Sequence, residues 1–189
     1  LTKMYENEIA IRTCRTSFFN CLKNSAKQFY LKDKDGMFML SGYPWGKIIA
    51  RNTLMSLPGN TIAIDHKEDF EAIMATAAKA LSTYMATGQI DKRIMQIDLP
   101  DIPLWCVWAL QQYAKAYGAE ECYNRYMPLI KEIMQYILGN NHPNLQVQAD
   151  GMVRTAGTDS PVSWMNASLY GRPVVPRTGL LVEFNALWY

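Results

Sequence analysis

The chain has 189 residues, 49% of them hydrophobic and 19% charged, with a formal net charge of +2. That length and composition fit one globular domain with a real core and exclude a disordered chain. The charge is too small, and Lys and Arg too scattered, to act as a footprint for nucleic acid.

No apolar run is long enough to span a bilayer, and the start, LTKMYENEIA, lacks the basic-then-apolar layout of a signal peptide. A cytoplasmic protein without a membrane partner is therefore expected. Cys14, Cys21, Cys106 and Cys122 show no CxxC spacing, and His66 and His142 lie far apart. No metal site and no cofactor is expected from such a pattern, and the cysteines read as reduced thiols.

In chain order, Ile9, Phe18, Cys21, Leu22, Ala26 and Phe29 recur at three- and four-residue steps, predicting one amphipathic helix from Asn7 to about Tyr30. Lys34, Asp35 and Gly36 make a turn into an extended segment over Met37 to Gly46. A second helix is predicted over Arg51 to Leu57, stopped by Pro58 and Gly59. Asp65 with Glu68 reads as a capping pair for a third, running to Gly88. A fourth covers Asp101 to Tyr117 and a fifth Glu120 to Leu138, each ended by glycine. LQVQADGMVRTAG alternates around Asp-Gly and predicts a β-hairpin. After a long loop, LLVEFNALWY reads as the first turns of another helix. The sum is an all-α fold with small β-hairpin insertions, whose long loops are rich in aromatic and polar residues. Long loops of that kind usually carry function.

Three stretches bear chemistry. In GYPWGKIIARNT, Tyr43 and Trp45 offer an aromatic platform beside Arg51 and Asn52, suited to sugar rings and hydroxyls; the alternative is a plain turn with a buried Trp45. In DLPDIPLWCVWAL, Asp98 and Asp101 are candidate helix caps, yet Trp105 follows Asp101 by one turn and puts an indole on the carboxylate's face. Glu183 is either a complement to a helix macrodipole or a carboxylate held on the apolar face of Leu180 and Leu187. Two separated carboxylates among aromatics have the composition of a glycosidase site. The chain has no GxSxG, Walker, GxGxxG or HExxH sequence to support another chemistry.

Together these stretches resemble the glucosidase domain of glycogen debranching enzymes. GYPW (42–45) stands before RNT (51–53) and SLPG (56–59) at the family's spacing, and GQIDKR (88–93), DIPLW (101–105), SWMNA (163–167) and PRTGLLVEFNALWY (176–189) follow in the family's order. The resemblance implies an (α/α)6 toroid of the six-hairpin glycosidase type, with a funnel lined by loops and by the starts of inner helices. It implies inverting removal of α-1,6-linked glucose stubs from glycogen or another branched α-glucan, with Asp101 as general acid and Glu183 as general base. Trp45, Arg51, Arg93, Trp105, Trp164 and Arg177 fall where sugar contacts are expected, with Tyr43, Asn52 and Asn166 beside them in the same motifs.

Two departures stand out: Asn52 and Asn166 occupy positions where the family has aspartate. They keep hydrogen-bonding capacity and lose charge, so a non-catalytic or altered-specificity glucan-binding relative is the competing reading. Residues 1–189 are expected to form one domain supplying the N-terminal and central part of the toroid, with the rest beyond Tyr189. Such a piece is expected to be inactive alone.

Overall fold

Helix formation begins in two pieces, not in the single helix that the apolar spacing predicts. Helix α1 spans Thr2–Ala10 and α2 spans Phe18–Lys27. Ser17 caps α2, its hydroxyl accepting from the main-chain N–H of Asn20 at 3.2 Å. The Asn24 side chain holds Thr13 at both of its main-chain groups, at 3.0 and 2.8 Å. These side-chain bonds compete with the helical ladder, and the chain between the helices stays irregular. The computed structural model describes residues 2–10, 12–156 and 161–189. Ile11 of the predicted first helix and Gly157 of the predicted hairpin lie outside the described residues.

A hairpin of β1 (Tyr30–Asp33) and β2 (Gly36–Met39) follows, turning at Lys34 and Asp35 as the sequence predicts. Strand β3 (Ile48–Ile49) leads at once into α3 (Ala50–Asn60). Pro58 lies inside α3 and does not end it; proline removes one N–H, and the helix runs on to Asn60. Helix α4 (Lys67–Thr87) is not capped by Asp65, whose φ of 61° is left-handed; an N-cap needs extended geometry, and Asp65 lies before His66 at the cap position. Gly88, at φ 71°, ends α4.

Strand β4 (Ile94–Met95) pairs in parallel with β3, Ile48 opposite Ile94 and Ile49 opposite Met95. Two helices follow, α5 (Ile102–Tyr117) and α6 (Ala119–Leu138). The antiparallel pair β5 (Leu145–Val147) and β6 (Val153–Thr155) forms the predicted hairpin. A second small pair, β7 (Ser168–Leu169) with β8 (Arg172–Pro173), interrupts the long loop before α7 (Val182–Trp188).

The architecture is mostly α. Helix α5 lies at its centre, burying Ile102, Leu104, Cys106, Ala109, Leu110 and Tyr113 around most of its circumference. A helix that is apolar nearly all round must be covered on several sides. It is packed by α3, α6 and α7, while α4 packs on both α3 and α6. Alternate helices are thus neighbours: α3 beside α5, α5 beside α7, and α4 beside α6. No helix among the described residues is long and apolar enough to cross a membrane.

Candidate active site

The parallel β3 and β4 pair sets the starts of α3 and α5 side by side, and there the sequence has placed Arg51 and Asp101. The two make a forked pair: Arg51 Nε donates to Asp101 Oδ2 at 2.5 Å and Nη2 to Oδ1 at 2.9 Å. Both side chains are nearly inaccessible, 2% and 3% exposed. Asp101 sits at the N-cap position of α5 with helical φ and ψ and makes no capping bond, because Arg51 takes its carboxylate. Trp105, one turn on, donates its indole N–H to Oδ2 at 3.2 Å, so the indole and the carboxylate do share a face. Burial raises the Asp101 carboxyl above the ordinary aspartate range, and the hydrogen bonds and charge of Arg51 oppose that rise without cancelling it.

Glu183 lies in the first turn of α7. Arg177 meets it with a second fork: Nε donates to Oε1 at 3.0 Å, and Nη2 reaches both carboxylate oxygens. Thr155 of β6 holds this arginine's main chain, its hydroxyl donating to the Arg177 carbonyl at 3.3 Å. Partial burial pushes the Glu183 carboxyl up, but the Arg177 fork wins and holds it below the ordinary range.

The apolar face of this segment differs from the expected one. Leu180 is half exposed and precedes the helix, whereas Leu181 and Phe184 enter the core, at 8% and 1% exposure. Because α7 starts at Val182, helical spacing does not extend back to Leu180. Burying Phe184 is worth about 1.5–3 kcal/mol and anchors α7 on its neighbours.

The remaining candidates occupy loops that lead into α3, α5 and α7, except Asn52, which lies in the first turn of α3. Tyr43, Trp45 and Trp164 are exposed, Trp45 at 90%, so Trp45 is no buried turn residue. Asn52 and Asn166 are exposed too. Arg93 clamps the first hairpin: it bonds Asp33, reaches Asp35 at 3.2 Å, and lies 3.9 Å over the Phe38 ring. It edges a groove of about 430 Å³ with Lys79, Thr83, Gln89 and Asp91, to which neither Asp101 nor Glu183 contributes.

A family model described as amylo-alpha-1,6-glucosidase matches residues 22–189, a span containing every candidate above. The chain belongs to this family. As a member of the amylo-alpha-1,6-glucosidase family it is a glycosidase-related domain, and the family points to a carbohydrate as its substrate class. No curated protein and no solved structure matches the chain.

Sequence reasoning missed two side chains that hold the candidate residues' elements in place. Asn185 accepts from the Val153 N–H at 2.9 Å and donates to the Val153 carbonyl at 3.0 Å, extending the edge of β6 onto α7. An Asn inside a short apolar helix was the available signal, since it is a poor helix former. His142 is buried and bridges two loops. Its Nε2 meets the Asp98 carbonyl at 3.0 Å, and its Nδ1 accepts from the Asn144 N–H at 3.0 Å. That arrangement fixes the neutral tautomer and holds the turn that leads into Asp101.

Proposed function

We propose that this chain supplies the acid and base of an inverting exo-glucosidase that removes α-1,6-linked glucose stubs from glycogen or limit dextrin. One observation carries the reading: Arg51, Asp101 and Glu183 stand at the starts of α3, α5 and α7, three alternate helices that pack in series, and the balance of burial against an arginine fork leaves Asp101 raised and Glu183 lowered. An acid that must hold a proton and a base that must lack one call for that contrast.

In the reaction, the Asp101 O–H bond breaks as a bond to the glycosidic oxygen forms. The C1–O bond breaks with its electron pair going to that oxygen. A water on the opposite face of the ring forms the new C1–O bond and gives its proton to Glu183. Arg177 supports the ionised Glu183 before that step. Exposed Trp45, Tyr43 and Trp164 offer ring faces to sugar C–H groups, while Asn52 and Asn166 offer hydrogen bonds to hydroxyls.

The neighbour pattern α3–α5–α7 and α4–α6 supports placing these elements in an (α/α)6 toroid, with the first series as inner helices and the second as outer ones. Seven helices among the described residues are fewer than six pairs, and the remainder of the ring is proposed to come from other parts of the polypeptide. The test is glucose release from a branch-stub dextrin by the polypeptide carrying the complete ring. Glu183→Gln should lower kcat about 10²- to 10⁴-fold, and the first sugar released should be the β anomer. An unchanged rate would remove Glu183 as the base.

A second reading is favoured by Asn52, Asn166 and the inaccessibility of Asp101: a glucan-binding relative that does not hydrolyse. Glycogen binding by the complete ring with no glucose release would select it.

A further inference from the structure

Asp101 receives three side-chain donors on two oxygens. Arg51 Nε and Trp105 Nε1 both point at Oδ2, at 2.5 and 3.2 Å, and Arg51 Nη2 points at Oδ1, at 2.9 Å. A carboxylate offers about four lone-pair positions, two on each oxygen. Oδ2 takes two of these side-chain donors and Oδ1 takes one. We propose that Arg51 is a positioning residue and not a sugar contact: with Trp105 it leaves Oδ1 as the single atom on which Asp101 carries its proton. This rests on the reading of Asp101 as the general acid.

The geometry suits that task. The guanidinium is planar and its Nε–Nη2 edge is rigid, so two parallel bonds fix the plane of the carboxyl as well as its place. Arg51 is 2% exposed, which leaves it little surface to offer a sugar. Among the described residues, Arg51 is the charged group that acts on Asp101 at close range. From α3 the charged group is Arg51, and from α5 itself the partner is the neutral indole of Trp105. On α7, Glu183 is met by Arg177, and on α6, Glu121 bonds Tyr113, three turns along α5.

When the acid acts, the Oδ1–H bond breaks and a bond from that proton to the glycosidic oxygen forms. The electron pair stays on Oδ1, facing the Nη2 donor of Arg51, which stabilises the new anion. A proton on Oδ2 would have to displace one of the two donors that meet that oxygen.

The experiment follows the Asp101 carboxyl carbon by NMR across pH in the 189-residue chain labelled at aspartate, with Asp101→Asn used to assign the signal. Arg51→Lys keeps the charge and loses the fork; Trp105→Phe keeps the fork and loses the second donor on Oδ2. Both removed donors favour the anion, so the midpoint should rise by about one unit in Arg51→Lys and by less in Trp105→Phe. Circular dichroism confirms the fold of each, and if Arg51→Lys does not fold, Trp105→Phe carries the test. In the active polypeptide, Arg51→Lys should lower kcat with little change in KM. Unmoved midpoints in folded variants overturn the proposal, as does a raised KM at constant kcat, the mark of a sugar contact. Midpoints that move without any glucose release defeat the acid reading of Asp101 while upholding the hold of Arg51 on Oδ1.

Discussion

Arg51→Met leaves Asp101 buried without its counter-charge. The fork is close, at 2.5 and 2.9 Å, and water reaches neither partner to any useful extent. Removing one member of a buried pair costs about 3–5 kcal/mol. A domain of this size loses about 2–4 °C of Tm per kcal/mol, so Tm should fall by about 6–20 °C. The double variant Arg51→Met with Asp101→Leu should return to within about 1 kcal/mol of the parent, since replacing both ions by apolar groups removes the desolvation cost with the attraction. The raised Asp101 carboxyl agrees. Its folded value lies above the unfolded 3.8, so its contribution is full below 3.8 and is lost as pH rises through the folded value. The ionised form is therefore the costly one, and the Arg51→Met penalty should shrink in acid, at about pH 4. Thermal melts of the two singles and the double at both pH values measure this. A double variant that costs the sum of the singles would refute the reasoning.

Arg177→Gln removes the fork that holds Glu183 low, and the acid limb of the kcat/KM profile should move up by about one unit; an unmoved limb would detach Arg177 from the base. In stability terms, the depressed Glu183 contributes fully above 4.5 and loses that contribution as pH falls through its folded value, so Arg177→Gln should flatten the acid side of the melting curve. His142 is held neutral by burial, below its ordinary 6.5. Its contribution is full above 6.5 and lost as pH falls through the lowered value, so Tm should decline on acidification below 6.5 and His142→Gln should remove that decline. Trp45→Ala, at a side chain 90% exposed, should change stability by less than about 0.5 kcal/mol. Isothermal titration with a maltooligosaccharide should show affinity falling about 3- to 10-fold, as for the loss of one stacked ring. Equal affinity would take Trp45 out of the binding surface.

Helices α4, α5 and α6 were legible because each repeats its apolar residues at helical spacing over several turns and stops at a glycine, as α4 does at Gly88. The hairpin around Asp150 and Gly151 was legible from its turn chemistry. The break between α1 and α2 was not, since it depends on Asn24 reaching Thr13, eleven residues away, and spacing carries no sign of that. Trp105 beside Asp101 could be foreseen because one helical turn fixes it. The pairing of Arg51 with Asp101 spans 50 residues and depends on β3 and β4, each too short to leave an alternation to read. Arg177 was placed among the sugar contacts on resemblance alone; its fork on Glu183 needs the bend at Gly179, where the chain bridges to Thr155.

The β3 and β4 pairing has a kinetic side. Hairpins such as β1–β2 close over a few residues, whereas bringing Arg51 to Asp101 closes a loop of 50, at an entropy cost of about 3.5 kcal/mol beyond a constant term. Contacts between distant parts of the chain form after local ones have been made. The buried ion pair is thus a late event in the folding of the chain, and until two isoleucines, Ile48 and Ile94, have found each other, a nascent polypeptide has helices but no joined Arg51 and Asp101.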